Sequence, residues 1–358
     1  MRKELYVKLR KAAVPGEKKE TVKEIVKEYG LDYRTVNALV KIINNESRIT
    51  KETITRLADK NFYTLNNAVA LAKRGLTEII PAKFFSDDEF LRRSGIDYIP
   101  EMFLCGNDDI TEYAISPYIK TIGYGAFMDC KNLRSVIFNG SINTINGCAF
   151  KYAKSLKRIE IPDSCSFIGE GAFMGSGIEQ FRIPQGVNEL RSETFKYCFN
   201  LRAVLSGKNN GTSKIVRVGD ECFYDCKLLE DIDIIPTQIG YGAFCGCESL
   251  NEIIIDSDVV ESAAFAECST LETIAFAGNP PAVIKPNAFA DCKSLKHVIS
   301  DGFSYALREC SGYYSLTREV KKNMRPDVPA SAMFCYGKKV DDIVKAVPDT
   351  IIDSGLII

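Results

Sequence analysis

The stretch IGYGAFMDCKNLRSVIF (residues 122–138) returns as IGYGAFCGCESLNEIII (residues 239–255), and the frame these two share decides the fold. Its anchor is a phenylalanine that recurs at Phe127, Phe150, Phe173, Phe195, Phe223, Phe244, Phe265 and Phe289, in steps of 23, 23, 22, 28, 21, 21 and 24 residues. Five positions before each stands an aliphatic residue: Ile122, Ile145, Ile168, Leu190, Val218, Ile239, Val260 and Ile284. Three positions after comes a small one: Cys130, Ala153, Ser176, Cys198, Cys226, Cys247, Cys268 and Cys292. A leucine follows at the sixth position, with Ile178 one place early in the third unit, and an alternating pair such as Ile159/Ile161 or Ile253/Ile255 closes the unit. Agreement of eight units at five positions is a repeat.

A unit of this length cannot bury both faces of its own strand, so neighbours must stack into a solenoid with one continuous core. The alternating pair predicts one short strand per unit, and successive strands align into a parallel sheet about 4.8 Å apart. The phenylalanine and leucine rows fill the interior, and the small residues form a ladder of buried thiols at a sharp turn. The fold class is therefore an α+β solenoid of stacked repeats, preceded by a small helical N-terminal unit.

The unit I-x-x-x-A-F-x-x-C-x-x-L-x-x-I-x-I-P resembles the BspA-like leucine-rich repeat family over residues 118–300. The resemblance implies a non-enzymatic binding scaffold, and the better-known members are bacterial surface proteins that attach to host matrix or to other cells. Weaker copies flank the strong ones. Phe103 stands 24 residues before Phe127, and Phe334 stands 45 after Phe289, which leaves room for one degenerate unit between them. The reading divides the chain into a basic helical unit (1–75), a degenerate capping repeat (76–117), the solenoid (118–300), and degenerate repeats with a C-terminal cap (301–358).

Charge separates the front end from the rest. Residues 1–60 hold 15 Lys+Arg against 9 Asp+Glu, whereas residues 61–358 hold 31 against 38. Val22, Ile25, Val26 and Tyr29 fall on one helical face, and Val36, Leu39, Val40 and Ile43 on another. Thr21 with Glu24 forms a capping box, and Gly30 is placed to end the first helix. Two short helices across a Gly-Leu-Asp turn have helix-turn-helix spacing. Residues 21–75 also resemble the headpiece of lac-repressor-type regulators, through Thr35-Val36, the RIT-KET run at 48–53, and Asn67-Ala68-Val69. That resemblance implies that Tyr33, Arg34 and Asn37 reach DNA base edges. The competing reading is a helical cap with solvated charges.

Composition narrows the chemistry. His297 is the only histidine and tryptophan is absent, so a His-rich metal site is excluded and no Ser-His-Asp or Cys-His pairing is visible. The thiols recur at one structural position, which packing explains without a metal, and the G-x-G in IGYGAF belongs to the repeat rather than to a phosphate loop. The expectation is no catalysis, no metal and no cofactor. No apolar run approaches the ~20 residues of a membrane span, so no membrane insertion is expected. The start, MRKELYVKLRKAAVPGEKKE, lacks the apolar stretch of an export signal because Lys8, Arg10 and Lys11 interrupt it. Thirteen cysteines, an odd number, fit free thiols in a reducing cytoplasm. A surface adhesin would require an export signal that this sequence does not display.

Binding is expected on the outward strand positions, eight and ten residues after each phenylalanine. These are Ser135/Ile137, Arg158/Glu160, Gln180/Arg182, Ala203/Leu205, Asp231/Asp233, Glu252/Ile254, Thr273/Ala275 and His297/Ile299. In-register strands would set them in one stripe roughly 34 Å long, basic at Arg158 and Arg182 and acidic at Asp231, Asp233 and Glu252. Such a stripe suits a protein or peptide ligand held in one orientation. A DNA-binding regulator acting through the N-terminal helices is the second reading.

Overall fold

The computed structural model describes residues 2–14, 18–31, 33–44, 62–207, 217–278, 281, 283–300, 303–310 and 313–319. Every repeat is one turn of a solenoid, and each turn except that of Phe150 contributes two strands where the sequence pattern predicts one. The first strand holds the aliphatic residue five before the phenylalanine. Thus β1 (Tyr98–Ile99), β3 (Thr121–Ile122), β5 (Thr144–Ile145) and β6 (Phe167–Ile168) pair in parallel. Their continuation is β8 (Glu189–Leu190), β10 (Arg217–Val218), β12 (Gln238–Ile239), β14 (Val259–Val260) and β16 (Val283–Ile284). The register matches aliphatic to aliphatic, as in Ile99↔Ile122, Ile122↔Ile145 and Val218↔Ile239. Two residues are too short for an alternation signal, so this ladder has no periodicity to read.

The second strand is the expected one, and it falls into three parallel blocks. These are β2 (Glu112–Ile115) with β4 (Ser135–Phe138); β7 (Gln180–Arg182), β9 (Ala203–Leu205) and β11 (Asp231–Ile232); and β13 (Glu252–Ile255), β15 (Thr273–Phe276) and β17 (His297–Ser300). Residues 158–161 form no strand, which separates the first two blocks.

Between the strands the chain turns around the phenylalanine. The residues two before and two after it have positive φ in every turn, among them Cys148 at 54° and Tyr152 at 60°, Glu221 at 53° and Asp225 at 57°. Such conformations cost an L-residue roughly 1–2 kcal/mol. Backbone bonds between turns offset the cost. The Asp129 N–H donates to Lys151 O (2.7 Å), that of Tyr152 to Met174 O (2.8 Å) and that of Asp225 to Cys245 O (2.8 Å).

Inside the turn the repeat's own residues stack on their copies. Rings from Phe127 to Phe289 lie parallel, with centroids 5.2–5.6 Å apart and planes within 15°. Each cysteine thiol donates to the phenylalanine carbonyl of the preceding turn: Cys198 to Phe173, Cys226 to Phe195, Cys247 to Phe223, Cys268 to Phe244 and Cys292 to Phe265, at 2.9–3.3 Å. Cys130 instead donates to Leu104 O at 3.0 Å. That bond corrects the register of the first turn. Leu104, not Phe103, occupies the phenylalanine position, and its N–H donates to Ala126 O just as that of Phe127 donates to Ala149 O. Phe103 packs edge-on against Phe127 and Phe85, closing the N-terminal end of the stack.

The C-terminal expectation is also corrected. In place of a further repeat, β18 (Phe303–Cys310) turns back antiparallel on β17 and pairs with β19 (Tyr313–Glu319) as a hairpin. An antiparallel hairpin ends the parallel stacking in a way that another turn would not. The copy anchored at Phe334 lies outside the described residues.

Two outcomes test this core. Phe244→Ala should destabilise the chain by about 3–5 kcal/mol in a denaturant melt, because a fully buried ring between two stacked neighbours is removed. Burial pushes the Cys198 thiol up to about 11 and the Cys130 thiol to about 12, and those of Cys226, Cys247 and Cys268 also well above their usual value. These thiols should therefore resist a thiol reagent at pH 8 until the chain unfolds. Native-state labelling as fast as that of the unfolded chain would contradict the ladder.

Candidate functional site

The outward row of the second-strand ladder holds its expected register within each block. Gln180 lies beside Ala203 and Asp231, Arg182 beside Leu205, and Glu252 beside Thr273 and His297. Its exposure is not uniform. Ile137, Arg158, Glu160, Gln180, Asp231 and His297 are exposed, while Arg182, Leu205, Asp233, Glu252 and Ile254 are half-buried. Thr273, Ala275 and Ile299 are buried, so the C-terminal third of the stripe does not present its expected face, and Thr273 is not a contact residue. The open part covers five turns, from Ser135/Ile137 to Asp231, or roughly 19 Å.

The charge gradient along the row is also weaker than its residues suggest. Arg182 makes two parallel bonds to Asp163 (2.9 and 3.0 Å) and a third to Gly207 O (3.1 Å). The guanidinium in turn holds the Asp163 carboxyl below its usual range. Asp233 accepts the Ser206 N–H at 3.4 Å, and partial burial raises its carboxyl. Among the row's charges, Arg158, Glu160 and Asp231 remain outside the ion pairs of the described residues.

The N-terminal residues form α1 (Arg2–Ala12), α2 (Lys18–Tyr29) and α3 (Tyr33–Asn44), which pack around Leu5, Leu9, Val22, Ile25, Val36 and Leu39. The glycine turn and α3 are where the sequence places them. However, α2 starts at Lys18, so Thr21 lies inside the helix and does not cap it, and α1 is a helix the sequence reading did not include. The residues assigned to DNA are not placed to reach it. Arg34 is only 5% exposed; its Nη1 donates to Ile80 O at 2.8 Å, and its guanidinium lies 4.7 Å from the Phe85 ring centre and 5.7 Å from that of Phe103. Tyr33 is buried, and Asn37 donates to Tyr33 O within its own helix. The start of α3 is therefore spent on the solenoid's N-terminal end. An arginine that stacks on two interior rings cannot also reach a base edge. The helical cap is the reading that the contacts support. The Asn67-Ala68-Val69 segment lies within α4 (Leu65–Lys73), capped by Thr64. The RIT-KET run lies outside the described residues.

The first-strand ladder has an outward face that the sequence reading missed, although each buried aliphatic residue implies that its predecessor points out. Along it runs an open groove of about 620 Å³ lined by Arg217, Asp220, Gln238, Tyr241, Asp258 and Glu261. Asp220 accepts the Tyr241 N–H (2.9 Å), and Glu261 is paired with Lys285 (2.7 Å). Among the described residues no three His, Cys, Asp or Glu side chains converge as a metal site, and no helix is long and apolar enough to cross a membrane.

A sequence model of the BspA type leucine rich repeat region matches six copies in this chain, over residues 97–228 and 208–311. No curated protein matches. Among solved structures, a leucine-rich repeat protein of T. pallidum is 24% identical, with 43% of this chain and 72% of that one covered and a TM-score of 0.40. A leucine-rich cell surface protein from Faecalibacterium prausnitzii is 24% identical, with 54% and 60% covered and a TM-score of 0.36. A leucine-rich repeat protein from Bacteroides ovatus is 23% identical, with 53% and 61% covered and a TM-score of 0.38. The match spans about 60% of the length of the latter two.

The Arg34 contact gives a direct test. Arg34→Ala should raise hydrogen exchange across α1–α3 while turns 3–7 keep their protection, and Arg34→Lys should not restore it, since an ammonium cannot reproduce the planar stacking. Unchanged exchange in both variants would show that the helices dock by other contacts.

Proposed function

The chain belongs to the BspA-type leucine-rich repeat family, and from that membership we propose that it is a non-catalytic scaffold holding an extended segment of a protein partner along its second-strand ladder. One observation carries the reading. The inward residues of these strands face the core, whereas the outward row stays open from Ser135/Ile137 to Asp231 and in register from Gln180 to Asp231. An extended peptide laid across the strands would meet one side-chain position per turn, about every 4.8 Å. Ile137, 44% exposed, and the half-buried Leu205 offer apolar anchors. Arg158 near one end and Asp231 at the other bias the direction in which a partner lies. The thiols that bond to the phenylalanine carbonyls must stay reduced for the core to persist, which favours a reducing, cytoplasmic setting for the proposal.

The test is affinity capture from the native organism with the wild-type chain and with an Ile137→Glu/Leu205→Glu double variant whose thermal melt is unchanged. A partner held by the wild type should be lost at least about tenfold in the variant, as when central anchors are removed. Equal recovery by both chains would move the interface off this row.

A further inference from the structure

The positions one, two and four after each phenylalanine form the outer edge of the solenoid, and they divide sharply along its length. In the five turns from Met128 to Lys227 they hold the lysines 131, 151, 154, 196 and 227 against Asp129 and Asp225, together with Tyr152, Tyr197, Phe199 and Tyr224. In the last three turns they hold one lysine against three acids and no aromatic residue. Aromatic rings occur on this edge only where the lysines do.

The third turn makes the arrangement a platform. There the edge reads Met174-Gly175-Ser176-Gly177, and a Cβ on Gly175 would lie 2.5 Å from the Tyr152 ring. Absence of a side chain leaves room for the Tyr152 ring beside the next turn, and Tyr152 remains 36% exposed. On the far side of the glycine turn stands Phe199, 51% exposed, packed against Tyr197 at 6.0 Å, with Tyr224 a further 5.7 Å along. Lys196 is held between the Tyr197 and Tyr224 rings (5.4 and 5.5 Å) and ion-paired with Glu193 and Glu221, so it fixes the rings rather than meeting a ligand. Lys151 lies 5.3 Å from the Tyr152 ring centre, and Lys154 is exposed beside it; neither has a carboxylate partner among the described residues.

We infer that this edge is a saccharide-binding surface for an acidic polysaccharide, its sugar rings stacked on Tyr152 and Phe199 and its carboxylates met by Lys151 and Lys154. The apolar C–H face of a pyranose ring gains dispersion contacts over an aromatic face, and a carboxylate on the same or the next ring reaches the ammonium groups. The spacing of charge selects this ligand over a nucleic acid. A nucleic acid carries a phosphate on every nucleotide and calls for a continuous basic track. Here two unpaired lysines sit within one turn; Lys131 on the edge of the turn before is paired with Asp129, and the edge of the turn after holds no lysine. Sparse cations beside stacking faces suit a polymer whose charges are separated by neutral rings. The edge is distinct from the strand row proposed for the protein partner, so either can fail alone.

The full chain is titrated with hyaluronate, which carries a carboxylate on every second ring, at about 50 and 200 mM salt, with dextran, polyglutamate and a single-stranded oligodeoxynucleotide as comparators. Hyaluronate should bind with a shallow salt dependence, and dextran should not bind. Tyr152→Ala and Phe199→Ala should each weaken binding about tenfold, and Tyr152→Phe should retain it. Lys151→Gln/Lys154→Gln should weaken binding and remove the salt dependence, whereas Leu205→Glu should leave it unchanged. The side chains are at the surface, and a thermal melt confirms that each variant is folded. The inference is overturned if hyaluronate does not bind, if polyglutamate or the oligonucleotide binds as tightly, or if folded Tyr152→Ala and Lys151→Gln/Lys154→Gln bind like the wild type.

Discussion

The phenylalanine carbonyl is the point on which the solenoid turns. In Phe195, Phe223, Phe244 and Phe265 it accepts the amide three residues on (2.9–3.3 Å) and also the thiol of the following turn (2.9–3.3 Å). One bond closes the turn and the other locks it to its neighbour. A carbonyl oxygen has two lone pairs; the amide takes one, and the cysteine supplies a donor for the other without the bulk of a larger polar side chain. The ring of the same residue stacks in the same direction, slipped so that parallel planes avoid facing head-on. Side chain and backbone of one residue thus enforce a single pitch. Ala153 shows the tolerance: it offers no thiol, yet the Phe150 ring above it keeps its place in the stack.

A repeat fixed this way has two raw ends, and the chain closes them by different physics. At the N-terminus Leu104 enters the phenylalanine register while Phe103, Phe85 and Phe90 form an edge-to-face cluster that covers the last ring. Arg34 then brings the helical unit onto that cluster, its charge set over ring faces and its Nη1 bonded to a backbone carbonyl. Beyond the last turn the parallel strand meets an antiparallel hairpin, which pairs the open edge without offering a new parallel one.

With the interior committed to coupling, recognition falls to what the repeat leaves free: outward strand residues and the edge of the turns. Each free position recurs once per turn, so identity can change there without disturbing the core, and neighbouring turns write a linear pattern of side chains. The aromatic and lysine positions near Tyr152 and Phe199 and the open row from Ser135/Ile137 to Asp231 are two such patterns on one frame. Where a side chain is drawn into a local ion pair, as with Arg182 and Asp163, its place in the pattern loses its charge.

The sequence by itself determined the solenoid, its eight strong turns, the interior phenylalanine row and the thiol ladder, because each is a short-range pattern repeated until chance is excluded, and helical periodicity placed α2 and α3. It also placed the outward row in the right register. Tertiary structure alone decided the rest. Whether Leu104 or Phe103 fills the first turn depends on hydrogen bonds to Ala126 and Cys130, which lie more than 20 residues away. The two-residue ladder of strands is too short to carry a period. Burial of Thr273, and of Arg34 at the head of a helix whose local sequence suits DNA, depends on what packs against them, and no window around either residue contains its neighbours. Local pattern specifies the turn, and contacts between distant segments specify which faces remain open.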